Sequence, residues 1–210
     1  MGNNAGKAMV FLVYINAFVI GFIIMGFEMV ASRYMYPFFG GSIETWAALI
    51  STVLLALMAG YFTGGILADR FHTLNAMGYI IIAASLYITF IPLVTQSTFE
   101  ALANFISNGT LVLLGSAMMI LFVPIALFGI FTPYSIRLIL TSTTESGKIA
   151  GRIYSISTLG NITGTLVTTF YLVPAIGSVN LTFLFSIIVF MSGLSFWIFD
   201  YMHSKKYIVN

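Results

Sequence analysis

The sequence contains no cysteine, which excludes disulfides and cysteine-ligated metals and leaves the redox compartment unreadable. It is equally short of charge. Eight basic and six acidic residues make up 7% of the 210-residue chain, against about 25% in an ordinary soluble domain. So few charges cannot cover a water-facing surface. A net charge of +2 is too small to argue for a nucleic-acid partner. The two histidines, His72 and His203, stand alone at the ends of apolar runs without metal-ligand spacing and read as surface residues. No Gly-rich strand-turn-helix for a nucleotide is present, so no cofactor is implied. Within the apolar runs there are no paired carboxylates, no His cluster and no nucleophile–base spacing, which argues against an intramembrane enzyme. Alternating segments of about ten residues, the mark of a membrane β-barrel, are also missing.

What fills the chain instead is apolar: 60% of residues are hydrophobic and 16% aromatic. Six runs, about 8–32, 43–67, 74–94, 110–139, 149–174 and 179–201, each reach the length of about 20 residues that a helix needs to cross hydrocarbon. The expected fold is an all-α integral membrane protein, a single domain of six transmembrane helices over 1–210. The first run is too long for a signal-peptide core and is read as a retained helix. Pro124 predicts a kink in the fourth run, and Pro133 to Arg137 its end. Between the third and fourth runs, TFEALANFIS fits a short interfacial helix or an ordinary loop. Asn108-Gly-Thr matches a glycosylation sequon.

The cations set an orientation. With the N-terminus inside, Lys7, Arg70, Arg137, Lys148, Arg152, Lys205 and Lys206 fall on the inner side and Arg33 alone on the outer. Both termini are therefore expected to be cytoplasmic, in the cell (inner) membrane, with Glu28, Glu44 and Glu100 on the outer side. Two short resemblances hint at an internal repeat. Residues 26–33 (GFEMVASR) resemble 129–137 (GIFTPYSIR), and Ser51-Thr-Val-Leu resembles Ser157-Thr-Leu-Gly, at offsets of 103–106. Chance competes with repetition for matches this short. Three spans lie between the copies, so a true repeat is inverted, as in many transporters.

Small residues recur every fourth position in the second run, at Thr52, Ala56, Gly60, Gly64 and Ala68, and again at Gly160, Gly164 and Thr168. Such ridges let backbones approach closely in lipid and fit either fixed packing seams or sliding contacts. Glu28 lies about 20 residues into the first run, where an ionisable group is costly and is kept for a partner or a cavity. Arg33 is about 140° further round the helix, so the two share no face unless the helix ends between them. Glu28 fits an interfacial structural charge or a proton or cation site. In the fifth run Ser155, Ser157, Thr158, Asn161, Thr163 and Thr165 wrap around the helix. Asn161 at mid-span requires another helix or a wet cavity, and Tyr154, seven residues earlier, shares its face.

The residues GFEMVASR (26–33), PFFG (37–40) with Trp46, GYFTGGILADR (60–70), FTPYSIR (131–137), GRIYSISTLG (151–160) and LVPAIG (172–177) occur in the order of a known family. Together they resemble the membrane domain fused to spermidine synthase-like domains in prokaryotes, itself related to half of a major facilitator transporter. The resemblance covers about residues 20–180. It implies six helices in two inverted three-helix repeats, with Asp69-Arg70 pinning helix ends in one conformation. The sequence ends at Asn210 without a synthase domain or an acidic aminopropyl-transfer site, so the family's enzyme activity does not carry over. Two functions follow as expectations. One is a small secondary transporter for a cationic solute such as a polyamine or a metal ion, working as a homodimer in the lipid bilayer. Its binding residues would be Glu28, Arg33, Asn161 and Tyr154. Its conformational elements would be Asp69, Arg70, Arg137, Arg152, Gly60 and Gly64, and its coupling would be to protons through Glu28. The other is a non-transporting anchor for a separately encoded, soluble synthase-like partner.

Overall fold

Polar residues just ahead of apolar runs fix where the helices start. Ser42 accepts the Thr45 N–H at 3.3 Å, and Thr73 accepts the Ala76 N–H at 3.3 Å. Asn108 accepts from Thr110 and Leu111 at 3.0 and 3.2 Å, so the sequon asparagine serves as a helix cap. The computed structural model describes residues 3–71, 73–140 and 145–204, with the side chains of 6–71, 73–140 and 145–202. The helices are α1 (Asn3–Phe39), α2 (Ile43–Arg70), α3 (Leu74–Phe105), α4 (Gly109–Ile139), α5 (Ser146–Val167) and α6 (Val173–Ser204). One π-helical turn, Thr168–Leu172, joins the last two. No strand occurs among the described residues.

Several boundaries differ from the sequence expectation. α1 runs on to Phe39, through Pro37, where an end at residue 32 was expected. The segment TFEALANFIS is neither a loop nor a separate interfacial helix, because α3 continues through it to Phe105. α4 passes through Pro124 and Pro133 as one continuous helix and ends at Ile139, two residues beyond the Pro133–Arg137 stretch where its end was expected. By length and apolarity five helices, not six, qualify as membrane spans among the described residues. The separate spans expected at 149–174 and 179–201 are parts of one 57-residue helical run, Ser146–Met202. That run is interrupted at Gly177, whose φ of 75° and ψ of 164° are not helical. Such a positive φ suits glycine, which has no Cβ to clash. Pro174, where the fifth run was expected to end, lies inside the helical run between the π turn and Gly177 and does not stop it. The chain has the character of an all-α, multi-pass membrane protein.

α1 and α4 form the centre. α1 packs on α2, α4, α5 and α6, and α4 on α1, α2, α3 and α5. Apolar side chains cover both of these helices nearly all round, from Ile20 to Ala31 and from Ile120 to Ser135, which marks buried helices. α2 lies along α4, α5 along α1, and α3 against α6.

The first two of these pairs meet through glycines. A Cβ on Gly60 would strike Ala126 and Gly129, and one on Gly64 would lie 2.7 Å from Ile130 Cα. On the other pair, Gly160 faces Phe18 and Phe22, and Gly164 faces Phe22. Both pairs run parallel, since higher numbers on one helix meet higher numbers on the other. α6, in contrast, is antiparallel to α1, with Tyr34 near Thr182 and Asn16 near Ser195. The chain therefore reverses direction between α5 and α6, at the Gly177 break. Polar contacts tie α6 to its neighbours. Ser186 bonds the Ser85 carbonyl at 3.0 Å, and Asn16 meets both Ser192 and Ser195. The outward faces carry large apolar residues such as Leu54, Phe62, Phe90 and Ile187, as a lipid-facing surface requires.

The seams make a sharp test. Gly64→Ala places a methyl against the backbone of α4 and should destabilise by about 1–3 kcal/mol. Gly65→Ala, one residue on, has nothing within 4 Å and should be neutral or stabilising by up to about 1 kcal/mol. Thermal loss of the monodisperse species in detergent measures both. Equal melting of the two variants would show that the seam is not tightly packed.

Candidate functional site

Glu28 lies on α1 where that helix is enclosed on most sides. It is 4% exposed. Among the described residues it has no hydrogen bond or ion pair, and its neighbours along the helix (Ile24, Phe27, Ala31) are buried apolar groups. A lone carboxyl in such a place changes charge only with a proton or a counter-cation. Arg33 does not serve as that cation. α1 continues unbroken past both residues, and Arg33 projects to an exposed face.

Arg33 instead borders a cleft of about 220 Å³ at its own end of the bundle. The turn after α1, with Gly40 at a φ of 69°, folds the start of α2 over it. Ser32, Tyr36 and Trp46 also line it, with Thr169 from the π turn. The hydroxyls of Thr168 and Thr169 are buried without hydrogen-bond partners, and Thr168 presses on Gly26 of α1. A π turn widens the helix by one residue and is often found at functional sites. Neither Glu28 nor Asn161 lines this cleft. Of the four expected binding residues, Arg33 alone lines it.

Asn161 and Tyr154 are on α5. The side-chain amide oxygen of Asn161, Oδ1, is buried without a partner and faces α1 across Gly21. Tyr154 is half exposed. The surrounding hydroxyls do not reach other helices as their polarity suggested. Ser155, Thr163 and Thr165 bond the carbonyls four residues back on their own helix, at 2.8, 2.9 and 3.0 Å.

At the opposite end, Asp69 and Arg137 form an ion pair at 3.4 Å between α2 and α4. Both are well exposed, so the pair contributes at most about 1 kcal/mol. Arg70 lies over the Phe71 ring, 5.5 Å from its centre, and Arg152 is exposed. A second cleft there is lined by Gly65, Ala68, Asp69, Pro133, Ile136 and Arg137. His72, Lys205 and Lys206 lie outside the described residues, as does the side chain of His203.

Two contributors carried no sequence signal beyond residue type. Tyr134 is fully buried, and its hydroxyl bonds the Phe71 and Thr73 carbonyls and the Thr73 N–H, stapling the α2–α3 turn to α4. Asn16, 3% exposed, bonds the Leu12 carbonyl, Ser192 and Ser195. No set of three or more His, Asp or Glu residues able to hold a metal occurs among the described residues.

Tyr134→Phe strands the backbone groups of Phe71 and Thr73 and should cost about 1–3 kcal/mol. A denaturant or thermal shift, alongside an exposed control such as Tyr36→Phe, reads this loss. No difference between the two would mean that the turn does not depend on the hydroxyl. Comparison with protein-family models, curated proteins and solved structures found no match, so the resemblance to the fused membrane domain rests on the residues of this chain.

Proposed function

We propose that this chain is a half-size secondary transporter of the major facilitator-like type, built from two inverted three-helix repeats. The observation that carries the proposal is the pairing of the helices. Exchanging α1 with α4, α2 with α5 and α3 with α6 turns every principal contact into another that exists. The α2–α4 seam becomes the α5–α1 seam, α1–α6 becomes α4–α3, and α3–α6 becomes itself. Inverted repeats of this kind support alternating access, because one half rocks against the other and equivalent clefts open at opposite ends. The two clefts, at Arg33 and at Asp69–Arg137, fit that scheme.

Six crossings follow on the same reading. A 57-residue helix would span about 85 Å, nearly three times a hydrocarbon core of about 30 Å. The reversal at Gly177 divides it into two passes. An even number of passes puts both termini on one side, and the cation count favours the cytoplasmic side of the cell membrane. Half of a twelve-helix transporter lacks a second wall for its cavity, and a homodimer supplies one.

The solute is a cation, and Glu28 is the group that meets it or its proton. A divalent metal takes several oxygen ligands, whereas Glu28 stands alone. A protonated amine such as a polyamine is the better match. Asp69–Arg137 closes the end it occupies, and Arg33 guards the other.

Proteoliposomes loaded with an inward proton or outward spermidine gradient test this. Wild-type protein should exchange labelled spermidine for protons. Glu28→Gln should reduce gradient-driven flux at least tenfold, with its elution profile unchanged. If no gradient is dissipated and Glu28→Gln changes nothing, the transporter proposal fails. Co-purification of a soluble synthase-like enzyme would then favour the anchor function.

A further inference from the structure

At the Asp69 end of the bundle, the beginning of α3 and the end of α6 border an open-sided pocket of about 560 Å³. It lies on the α3–α6 side, away from Glu28 and from both clefts described above, and belongs to neither. Its lining is unusual for this chain. Tyr79, Trp197 and Tyr201 contribute three aromatic rings, and Asp200 contributes a carboxylate. Tyr79 and Trp197 meet edge to face, 5.8 Å between centres and 72° between planes. They are 58% and 46% exposed, so ring surface remains open to the pocket. Asn75 donates its amide to Asp200 Oδ2 at 2.7 Å, which fixes the carboxylate. Among the described residues, no cation pairs with Asp200. The partner of this carboxyl within the box is a neutral amide, so the box itself supplies no counter-charge.

From this box we infer a binding site for an organic ammonium group, in which the rings bear on its weakly hydrated alkyl or methyl groups and Asp200 balances its charge. Cation–π attraction favours such soft cations. Hard cations seek several oxygen ligands, and the box offers one carboxylate. The ammonium has two sources. One is the amine headgroup of a lipid in the adjoining leaflet, since α3 and α6 begin and end here at the edge of their apolar spans. The other is a soluble amine. The site is independent of the transport proposal, and either one stands without the other.

The sequence has two tryptophans, so Trp46→Phe leaves Trp197 as the sole emitter. The full chain is placed in nanodiscs of phosphatidylglycerol and titrated with tetramethylammonium or butylammonium chloride, with potassium chloride as the ionic control. A parallel series replaces phosphatidylglycerol stepwise by phosphatidylethanolamine or phosphatidylcholine. A saturable change in Trp197 emission is expected in at least one series and not with potassium. It should weaken at least tenfold in Asp200→Asn and in Tyr79→Leu. A response confined to the lipid series assigns a headgroup, and one confined to the salts assigns a free amine. Tyr79→Leu alters a half-exposed ring and keeps the test decisive if Asp200→Asn fails to fold. No saturable change in either series, or an undiminished response in both variants, overturns the site and leaves an interfacial aromatic belt only.

Discussion

Backbone contact at four glycines governs where everything else in this bundle can be. In lipid, apolar side chains gain little by leaving their surroundings, so helix association rests on close packing and on polar bonds. Gly60 and Gly64 let α2 reach the backbone of α4, and Gly160 and Gly164 let α5 reach that of α1. Those approaches draw α1 and α4 into the middle with α2 and α5 as their outer walls. Glu28 is enclosed because α1 is central, and α1 is central because α5 can come so near. The enclosed position of Glu28 is thus a consequence of small residues about 130 positions further along the chain.

The other side of the bundle is held differently. α6 carries Thr182, Ser186, Ser192 and Ser195 toward α1 and α3, and each finds a partner in Tyr34, Ser85, Asn16 or its own backbone. Directional bonds of this sort fix one arrangement, even though each adds only about 0.6 kcal/mol in a membrane protein. The glycine seams have no such direction. The bundle therefore has a fixed side, α1–α6–α3, and two seams along which α2 and α5 lie.

What was legible in the sequence follows from the strength of each local signal. The starts of α2, α3 and α4 were readable from where the long apolar runs begin, while their caps, Ser42, Thr73 and Asn108, went unmarked. The ridges at Gly60 and Gly160 were readable from their spacing alone. Helix ends were not, because in α1 and α3 the apolar character fades slowly through aromatic and amide residues and the backbone stays helical to Phe39 and Phe105. The link expected between the last two runs, 175–178, contains Gly177, where the helical backbone does break. Asn16 went unmarked. Its neighbours are ordinary apolar residues, and its partners lie on a helix at the far end of the chain.

On the inverted-repeat proposal, the register of the two halves bears on function. Sequence similarity suggested offsets of 103–106, but equivalent backbone contacts relate Gly60 to Gly160 and Gly64 to Gly164, and Phe18 to Ala126 and Phe22 to Ile130. Those are offsets of 100 and 108. On the inverted-repeat proposal, the two halves share clearances between backbones and little else. In that register Glu28 corresponds to Ile136, and Asp69 and Arg137 correspond to Thr169 and Met29. The packing is symmetric, but the charges are not. One end of the bundle has a bare carboxyl inside and a lone arginine at its rim, while the other has a compensated pair. On the transport proposal, a frame that is symmetric only in its backbone clearances leaves the preference between two conformations, and the response to a proton or a cation, to unmatched residues such as these.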